Sequence, residues 1–270
     1  MKSMLESYLS LEQTNLLAAT LKAQTRASGS VEAPRVAGIL SERRRRDVLD
    51  IGTGEGSFLL EVARRAPEAR FLGIDHNDFA VRKGIARLRR SPLRNVRFQT
   101  SFFDSAFDRT THDAILTRYT LQHCSRPGEF LRSARLRLAP GGTFIAIESV
   151  ESGMDCHVPD PVWQAYRAAL LAVHERIGSD ADVGKALGGA LRRAGFRRVQ
   201  VEFVLTSPAT VGFERFRSVV LATGALAHTL FPGLFGRRLL TRMEAWLRNR
   251  AGIERRDPYI VTALASAMRP

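Results

Sequence analysis

Three alternate glycines behind an aspartate, Asp50-Ile51-Gly52-Thr53-Gly54-Glu55-Gly56, are the residues whose types and spacing point most directly to chemistry. Glycine reaches positive φ and lets a ligand approach the backbone where a Cβ would block it, so the run suits a tight turn beneath a bound molecule. The spacing is G-x-G-x-G and not the G-x-G-x-x-G of a dinucleotide fingerprint. Asp50 widens that difference, because a carboxylate there accepts a hydrogen bond from an ammonium group, which a pyrophosphate does not offer. A second carboxylate, Asp75, stands about twenty residues beyond the last glycine, where folds of this kind hold a ribose diol. Its oxygens suit two hydroxyl donors, and Asn77 is better placed to cap the helix that follows.

Such a loop needs a strand before it and a helix after it. Apolar runs at residues 48–51, 71–74, 96–98, 114–116 and 144–147 have the pattern of buried parallel strands, with helical patterns at 58–65, 79–88 and 130–138 between them. The alternation predicts an α/β, doubly wound sheet with helices on both faces and right-handed crossovers. Beyond it, 161–177 and 183–194 are expected to be helical, the second closed by Gly195. Strand patterning resumes at 199–205, a helical stretch follows from about 213 to 250 with a break at Pro232-Gly233, and 259–265 is a last strand. Leu5, Leu9, Leu16, Leu17 and Leu21 recur at helical spacing before a loop expected at Ser28-Gly29-Ser30. The domain reading is an N-terminal helical lid over residues 1–40 and a core over 41–270, with a helical insertion at 150–195 and a helical segment at 210–250.

The formal net charge of +14 invites a nucleic-acid partner. All but four of the 41 basic residues are arginine, however, and they are scattered through the predicted helices as well as in the run Arg43 to Arg46. That distribution argues for a solvated surface and against nucleic acid. No run approaches the roughly eighteen apolar residues of a membrane helix, and the first residues lack a signal-peptide core, so no membrane contact and a cytoplasmic location are expected. Cys124 and Cys156, the only cysteines, build neither a disulfide framework nor a four-cysteine zinc site, and no metal is expected.

The order of Asp50-x-Gly52-x-Gly54-x-Gly56, Asp75 ending the second strand, Asp113 opening the fourth and Pro140-Gly141-Gly142 before the fifth resembles the class I S-adenosylmethionine-dependent methyltransferases. Arg118-Tyr119-Thr120-Leu121-Gln122-His123, Gly178-Ser179-Asp180, Val183-Gly184 and Ala194-Gly195-Phe196 look like a bacterial small-molecule branch related to ubiquinone-biosynthesis enzymes, the type 11/25-like group. The resemblance covers residues 47–205. It implies a Rossmann-like sheet of seven strands, the last antiparallel, and S-adenosylmethionine as cofactor with S-adenosylhomocysteine as product. The backbone of Gly52, Thr53, Gly54 and Gly56 would pass beneath the methionine moiety, Asp50 would serve its amino group, Asp75 would hold the ribose and His76 would flank the adenine. The family usually places an acid after strand three. Here Phe102 stands there, preceded by Ser101, so the adenine would be held by backbone groups and stacking on Phe102 or Phe103, or by Asp104.

Methyl transfer from a sulfonium is an in-line displacement, so the main task is alignment and exclusion of water, and a base is needed only for an acceptor that carries its proton. Arg118 is a candidate to anchor a carboxylate of cofactor or substrate, its alternative being a salt bridge. His123 and Glu148 are the base candidates, against a structural turn for the first and a cap or ion pair for the second. Tyr119, His157, Trp163 and Tyr166 are candidates for an acceptor pocket, as is His174, against ordinary helix packing. Tyr8 would close over the cofactor. Enzymes that methylate exocyclic amines of bases carry an Asn/Asp-Pro-Pro-aromatic run after strand four, where this chain reads Thr117-Arg118-Tyr119-Thr120. The expected function is therefore O-, N- or C-methylation of a small-molecule metabolite in a biosynthetic pathway, an anionic acceptor being one option. Non-methylating chemistry on the same cofactor, an RNA methyltransferase and a non-catalytic binding subunit are the alternatives, and monomer and homodimer both stay open.

Overall fold

The computed structural model describes residues 11–104 and 110–270. Two helices, α1 (Leu11–Arg26) and α2 (Ser28–Glu42), precede five parallel strands: β1 (Asp47–Ile51), β2 (Arg70–Asp75), β3 (Val96–Thr100), β4 (His112–Arg118) and β5 (Leu138–Ser149). Between these strands lie α3 (Ser57–Arg65), α4 (Asp78–Arg89) and α5 (Pro127–Leu136). The second half holds β6 (Asp155–Cys156), α6 (Pro161–Arg176), α7 (Val183–Arg193), β7 (Arg197–Thr206), α8 (Pro208–Val211), α9 (Phe213–Leu230), α10 (Arg237–Arg248), α11 (Arg250–Arg256) and β8 (Pro258–Met268).

The strands form one sheet in the order β3-β2-β1-β4-β5-β8-β7, with β8 antiparallel to both neighbours. This is the doubly wound, Rossmann-like α/β arrangement with an antiparallel last strand. One eighth strand was not foreseen: β6, two residues long, pairs with the start of β8, and so short a run carries no periodicity to read.

Alternation along the strands shows why the sheet is covered on both faces. Leu49, Ile51, Ile115, Phe144 and Ala146 pack on one side with Leu187 and Leu191 of α7 and Phe196. Val48, Ala114, Leu116, Ile145 and Ile147 pack on the other with α2 and α3, through Val36, Leu40, Leu59 and Val62. A third cluster, built on Trp163, Tyr166, Phe216, Phe235 and Met243, joins α6, α9 and α10. Among the described residues no helix is long and apolar enough to cross a membrane.

The loop expected at Ser28-Gly29-Ser30 is instead the first turn of α2. Ser28 and Gly29 are buried, and a Cβ on Gly29 would stand 3.4 Å from Phe58, so small residues here permit helix packing and do not mark a turn. The segment expected to be a lid thus has two environments. Helix α1 faces a cavity, whereas α2 contributes Ala33, Val36, Ala37 and Leu40 to the core beneath the sheet.

Candidate functional site

Strand order reverses between β1 and β4, the switch point where doubly wound sheets leave a crevice at the carboxyl ends of their strands. Parallel register, with Asp50 opposite Gly73 and Leu116, brings Asp50, Asp75 and Arg118 to that same edge. Gly52, Gly54 and Gly56 have φ of +76°, +54° and +67°, a region closed to most side chains. The loop is fixed by Gly52 and Thr53 donating to the Ile74 carbonyl at 2.9 and 3.0 Å, and by Gly54 N–H donating to Asp75 Oδ2 at 2.8 Å.

The three glycines serve different ends. A Cβ on Gly52 would meet Thr120 Oγ1 at 2.4 Å and one on Gly56 would meet Phe98 at 2.2 Å, so both sit under close packing. Nothing lies within 4 Å of the position a Cβ on Gly54 would take, because the cavity opens there. Gly56 does not line the cavity; its place is under the Phe98 ring.

Asp75 Oδ1 also accepts from Asn77 N–H at 2.9 Å and lies 3.4 Å from His76 Nδ1, which fixes the carboxylate where it lines the cavity. Asn77 caps α4 by accepting from Ala80 N–H. His76 and Phe102 form an aromatic wall with ring centroids 5.5 Å apart. Ser101, Phe102, Phe103 and Asp104 line the cavity beside it. Asp50 is 4% exposed, and burial pushes its carboxyl up to about 7, reinforced by the charge of Asp75 and opposed by the Thr53 hydroxyl and Arg118.

Arg118, at the end of β4, donates from Nε to Glu32 Oε2 of α2 at 2.8 Å. Its guanidinium lies over the Phe58 and Tyr119 rings, 4.6 and 4.4 Å from their centroids. Its Nη2 is buried and has no hydrogen-bond partner among the described residues. Tyr119 follows with φ of +52°, a strained conformation for an aromatic residue that turns the chain under the cavity. His123 lies at the exposed rim with its ring 3.0 Å from Gln122 Nε2.

These groups share one cavity of about 720 Å³, the size range of small-molecule sites. Its polar half is the glycine loop, Asp50, Asp75, His76 and Arg118. Its other half lies among α1, α6 and α9 and is lined by Leu17, Leu21, Leu170, Val173, Val219, Leu226 and Leu230.

Residues 43–174 match the family described as "Methyltransferase domain". Over 111 residues the chain is 31% identical to a tRNA (guanine-N(7)-)-methyltransferase of Rubrobacter xylanophilus, covering 40% of this chain and 49% of that protein. Over 100 residues it is 31% identical to a demethylmenaquinone methyltransferase of Roseiflexus castenholzii, covering 37% and 41%. The chain spans about half the length, or less, of these curated relatives. Among solved structures the [4+2]-cyclase SpnF matches with a TM-score of 0.56 at 20% identity over 88% of this chain and 81% of SpnF, a likeness of fold. Residues 43–174 are a methyltransferase domain.

Around the methyltransferase loop the structure gathers Asp50, Gly52, Thr53, Gly54, Asp75, His76, Ser101, Phe102, Arg118, Tyr119, His123 and Tyr166 on one cavity. Besides Gly56, which packs under Phe98, three expected members lie elsewhere. His157 is exposed on the surface, and Trp163 is fully buried between Tyr166 and Trp246, with ring centroids 5.3 and 5.6 Å away. Neither lines the cavity: the first follows β6 on the surface, and the second faces the helical core. Glu148 is fully buried off the cavity and caps the 3-10 turn Leu121–His123, accepting from the backbone N–H groups of Thr120, Leu121 and Gln122. Tyr8 lies outside the described residues.

Glu32, which pairs with Arg118, and Glu151, which lines the cavity, were not foreseen. Glu32 is a charge on the otherwise apolar stripe of α2, formed by Gly29, Ala33, Val36, Ala37 and Leu40, and that misplaced charge was the available signal. Glu151 follows β5, and nothing in its sequence neighbourhood distinguishes it from a loop residue.

Proposed function

We propose that the chain is an S-adenosylmethionine-dependent methyltransferase whose acceptor is a small, largely apolar molecule. The observation that carries this is the single cavity with two unlike halves, polar at the strand ends and apolar among α1, α6 and α9. The polar half suits the cofactor group by group. Asp50 offers a carboxylate to an ammonium, Asp75 lines the cavity with a carboxylate of the type that accepts from a diol, and His76 with Phe102 offers a wall for a purine. The orphaned Nη2 of Arg118 is a buried donor that a ligand carboxylate would satisfy. The open space over Gly54 admits the ligand against the backbone.

The bound cofactor supplies an electrophilic methyl group on a good leaving group. What the chain adds is alignment and dryness. The glycine loop and Asp75 fix one partner, and the side chains of Leu17, Leu170, Val173 and Leu226 surround the other and exclude water. Helix α1 is tied to α9 by Thr20 Oγ1 donating to the Ala222 carbonyl at 3.1 Å, so the two helices close that half together.

The test has two readings. Calorimetric titration with S-adenosylhomocysteine should show one site per chain, weakened at least about tenfold in Asp75→Ala, where two hydroxyl hydrogen bonds are lost. Incubation with methyl-labelled cofactor and a cell extract should then place label in the organic-soluble small-molecule fraction. Label recovered in tRNA would overturn the acceptor class and favour the nucleic-acid alternative.

A further inference from the structure

Three buried carboxylates among the described residues are held by the fold itself. Glu32 is paired with Arg118, and Glu148 accepts three backbone N–H groups. Asp160 caps α6 and pairs with Arg256 at 2.7 Å. Glu151 differs: the residue lines the cavity, and its Oε2, which is buried, has no hydrogen-bond partner among the described residues. A buried acceptor left unpaired costs about 1 to 3 kcal/mol, more when charged, and calls for an explanation.

The residue is held in place by its backbone. Glu151 N–H donates to the Ala181 carbonyl at 3.0 Å, and Ser152 N–H donates to Asp182 Oδ1 at 3.0 Å, fixing the short 3-10 turn Glu151–Gly153 that follows β5. The side chain is near enough to Tyr119 and Tyr166 for its charge to disfavour proton loss from both. Tyr119 adjoins Arg118 at the polar half, and Tyr166 belongs to α6 with the apolar Leu170 and Val173. Glu151 therefore stands at the junction of the two halves, where the reacting ends of two ligands would meet. Burial, with the charge of Asp182, pushes its carboxyl up to about 7, the range in which a carboxylate both accepts and releases a proton at neutral pH.

We propose that Glu151 recognises the acceptor: its carboxylate receives a hydrogen bond from a hydroxyl or amine borne by an otherwise apolar molecule, and takes the proton as that atom is methylated. The inference rests on the cofactor and acceptor halves assigned above. The nucleophile's lone pair forms the bond to the methyl carbon, the carbon–sulfur bond breaks with its pair passing to sulfur, and the nucleophile's proton passes to Glu151. The neutral carboxylic acid then returns that proton to water. A carboxylate-bearing acceptor is disfavoured at this end, since Glu151 and Asp182 are both acidic and no cation pairs with Glu151 among the described residues. The anionic acceptor considered from the sequence is thus assigned no binding group here.

The experiment uses the full chain saturated with S-adenosylhomocysteine, and binding of that ligand is measured first. Four probes of matched length follow by calorimetry: a pentylphenol, a pentylaniline, a pentylbenzoate and the methyl ether of the pentylphenol. The phenol and the aniline should bind at least about tenfold more tightly than the benzoate and the ether, the worth of one hydrogen bond to a buried carboxylate. Glu151→Leu should erase that preference, and Glu151→Gln, which keeps an acceptor oxygen and the side-chain shape, should retain part of it. Equal binding of phenol and benzoate, a preference that survives Glu151→Leu, or binding of none of the four overturns the inference. Should the leucine variant not fold, a preference in Glu151→Gln equal to that of the wild type at every pH from about 6 to about 8 overturns it instead. Failure of S-adenosylhomocysteine to bind is a different result, because it removes the proposed function itself.

Discussion

Arg118 Nε stands 2.8 Å from Glu32 Oε2, an ion pair in which the glutamate is fully buried and the arginine side chain is 8% exposed. The other oxygen of Glu32 accepts from Thr262 Oγ1 at 3.0 Å. One carboxylate thus ties α2 to the ends of β4 and β8. It also spends Nε of the guanidinium and leaves Nη2 for a ligand, so the pair both orients Arg118 and keeps its charge in a buried site.

Breaking that pair from one side should be expensive. Glu32→Ala leaves a buried guanidinium without its counterion and should cost about 3 to 5 kcal/mol. Replacing both partners by apolar residues of similar size, Glu32→Leu with Arg118→Met, should recover most of the loss while abolishing carboxylate anchoring. Urea unfolding of the two variants decides the matter: a Glu32→Ala loss under about 1 kcal/mol would mean that water reaches the pair.

Two glycines of the loop should fail in different ways. Gly52→Ala meets both a positive φ of +76° and Thr120 Oγ1 at 2.4 Å, so stability should fall by several kcal/mol. Gly54→Ala meets only backbone strain, about 1 kcal/mol, but its methyl enters the open space over the loop. Affinity for S-adenosylhomocysteine should therefore drop at least about tenfold in Gly54→Ala with the melting temperature little changed. Thermal melts beside ligand titrations separate the two effects, and equal stability losses would contradict the packing difference.

The sheet and the polar half of the cavity were legible because both write regular patterns into the chain. Buried parallel strands leave short apolar runs, and a turn with positive φ requires glycine at fixed positions, so 48–56 and Asp75 announce themselves. The remainder depends on contacts distant in sequence. Glu32 and Arg118 are far apart along the chain, and no local rule says which basic residue meets a lone acid on an apolar stripe. His157 and Trp163 flank the start of α6, yet one faces solvent and the other the helical core, because the face a helix presents is set by what packs on it. Glu148, a base candidate near the end of β5, is covered by the folded-back turn after β4 and caps that turn instead.

Ligand binding should depend on pH through Asp50. Its carboxyl titrates at about 7, raised by burial, so below pH 7 the acid form predominates and has no charge to offer an ammonium. Affinity for S-adenosylhomocysteine should tighten as pH rises through 7, by up to about tenfold per unit on the acid side. Asp50→Asn should bind more weakly at pH 8 and show no such slope. Calorimetry in buffers of different ionisation enthalpy gives a second readout, since binding near pH 6 should release protons in the wild type and not in the variant.

Glu148 should prove a structural carboxylate. Glu148→Ala leaves the N–H groups of Thr120, Leu121 and Gln122 without their acceptor and should cost about 3 kcal/mol or more, whereas Glu148→Gln keeps one accepting oxygen and should cost less. Its carboxyl is raised by burial from the usual 4.5 to about 7, against the pull of those three donors. A folded-state pKa above the unfolded one means that the folded chain binds the extra proton, so this stabilising contribution is complete below about pH 4.5 and is lost as pH rises through 7. Asp50 and Glu151 act in the same direction, while His174, lowered by burial to about 4, acts in the opposite one. The informative quantity is therefore the difference between wild type and Glu148→Gln, in which the other groups cancel. Wild type should lose stability relative to the glutamine variant as urea unfolding is moved from about pH 5 to about pH 8, and an unchanged difference would mean that Glu148 is ionised throughout, held so by its three backbone donors.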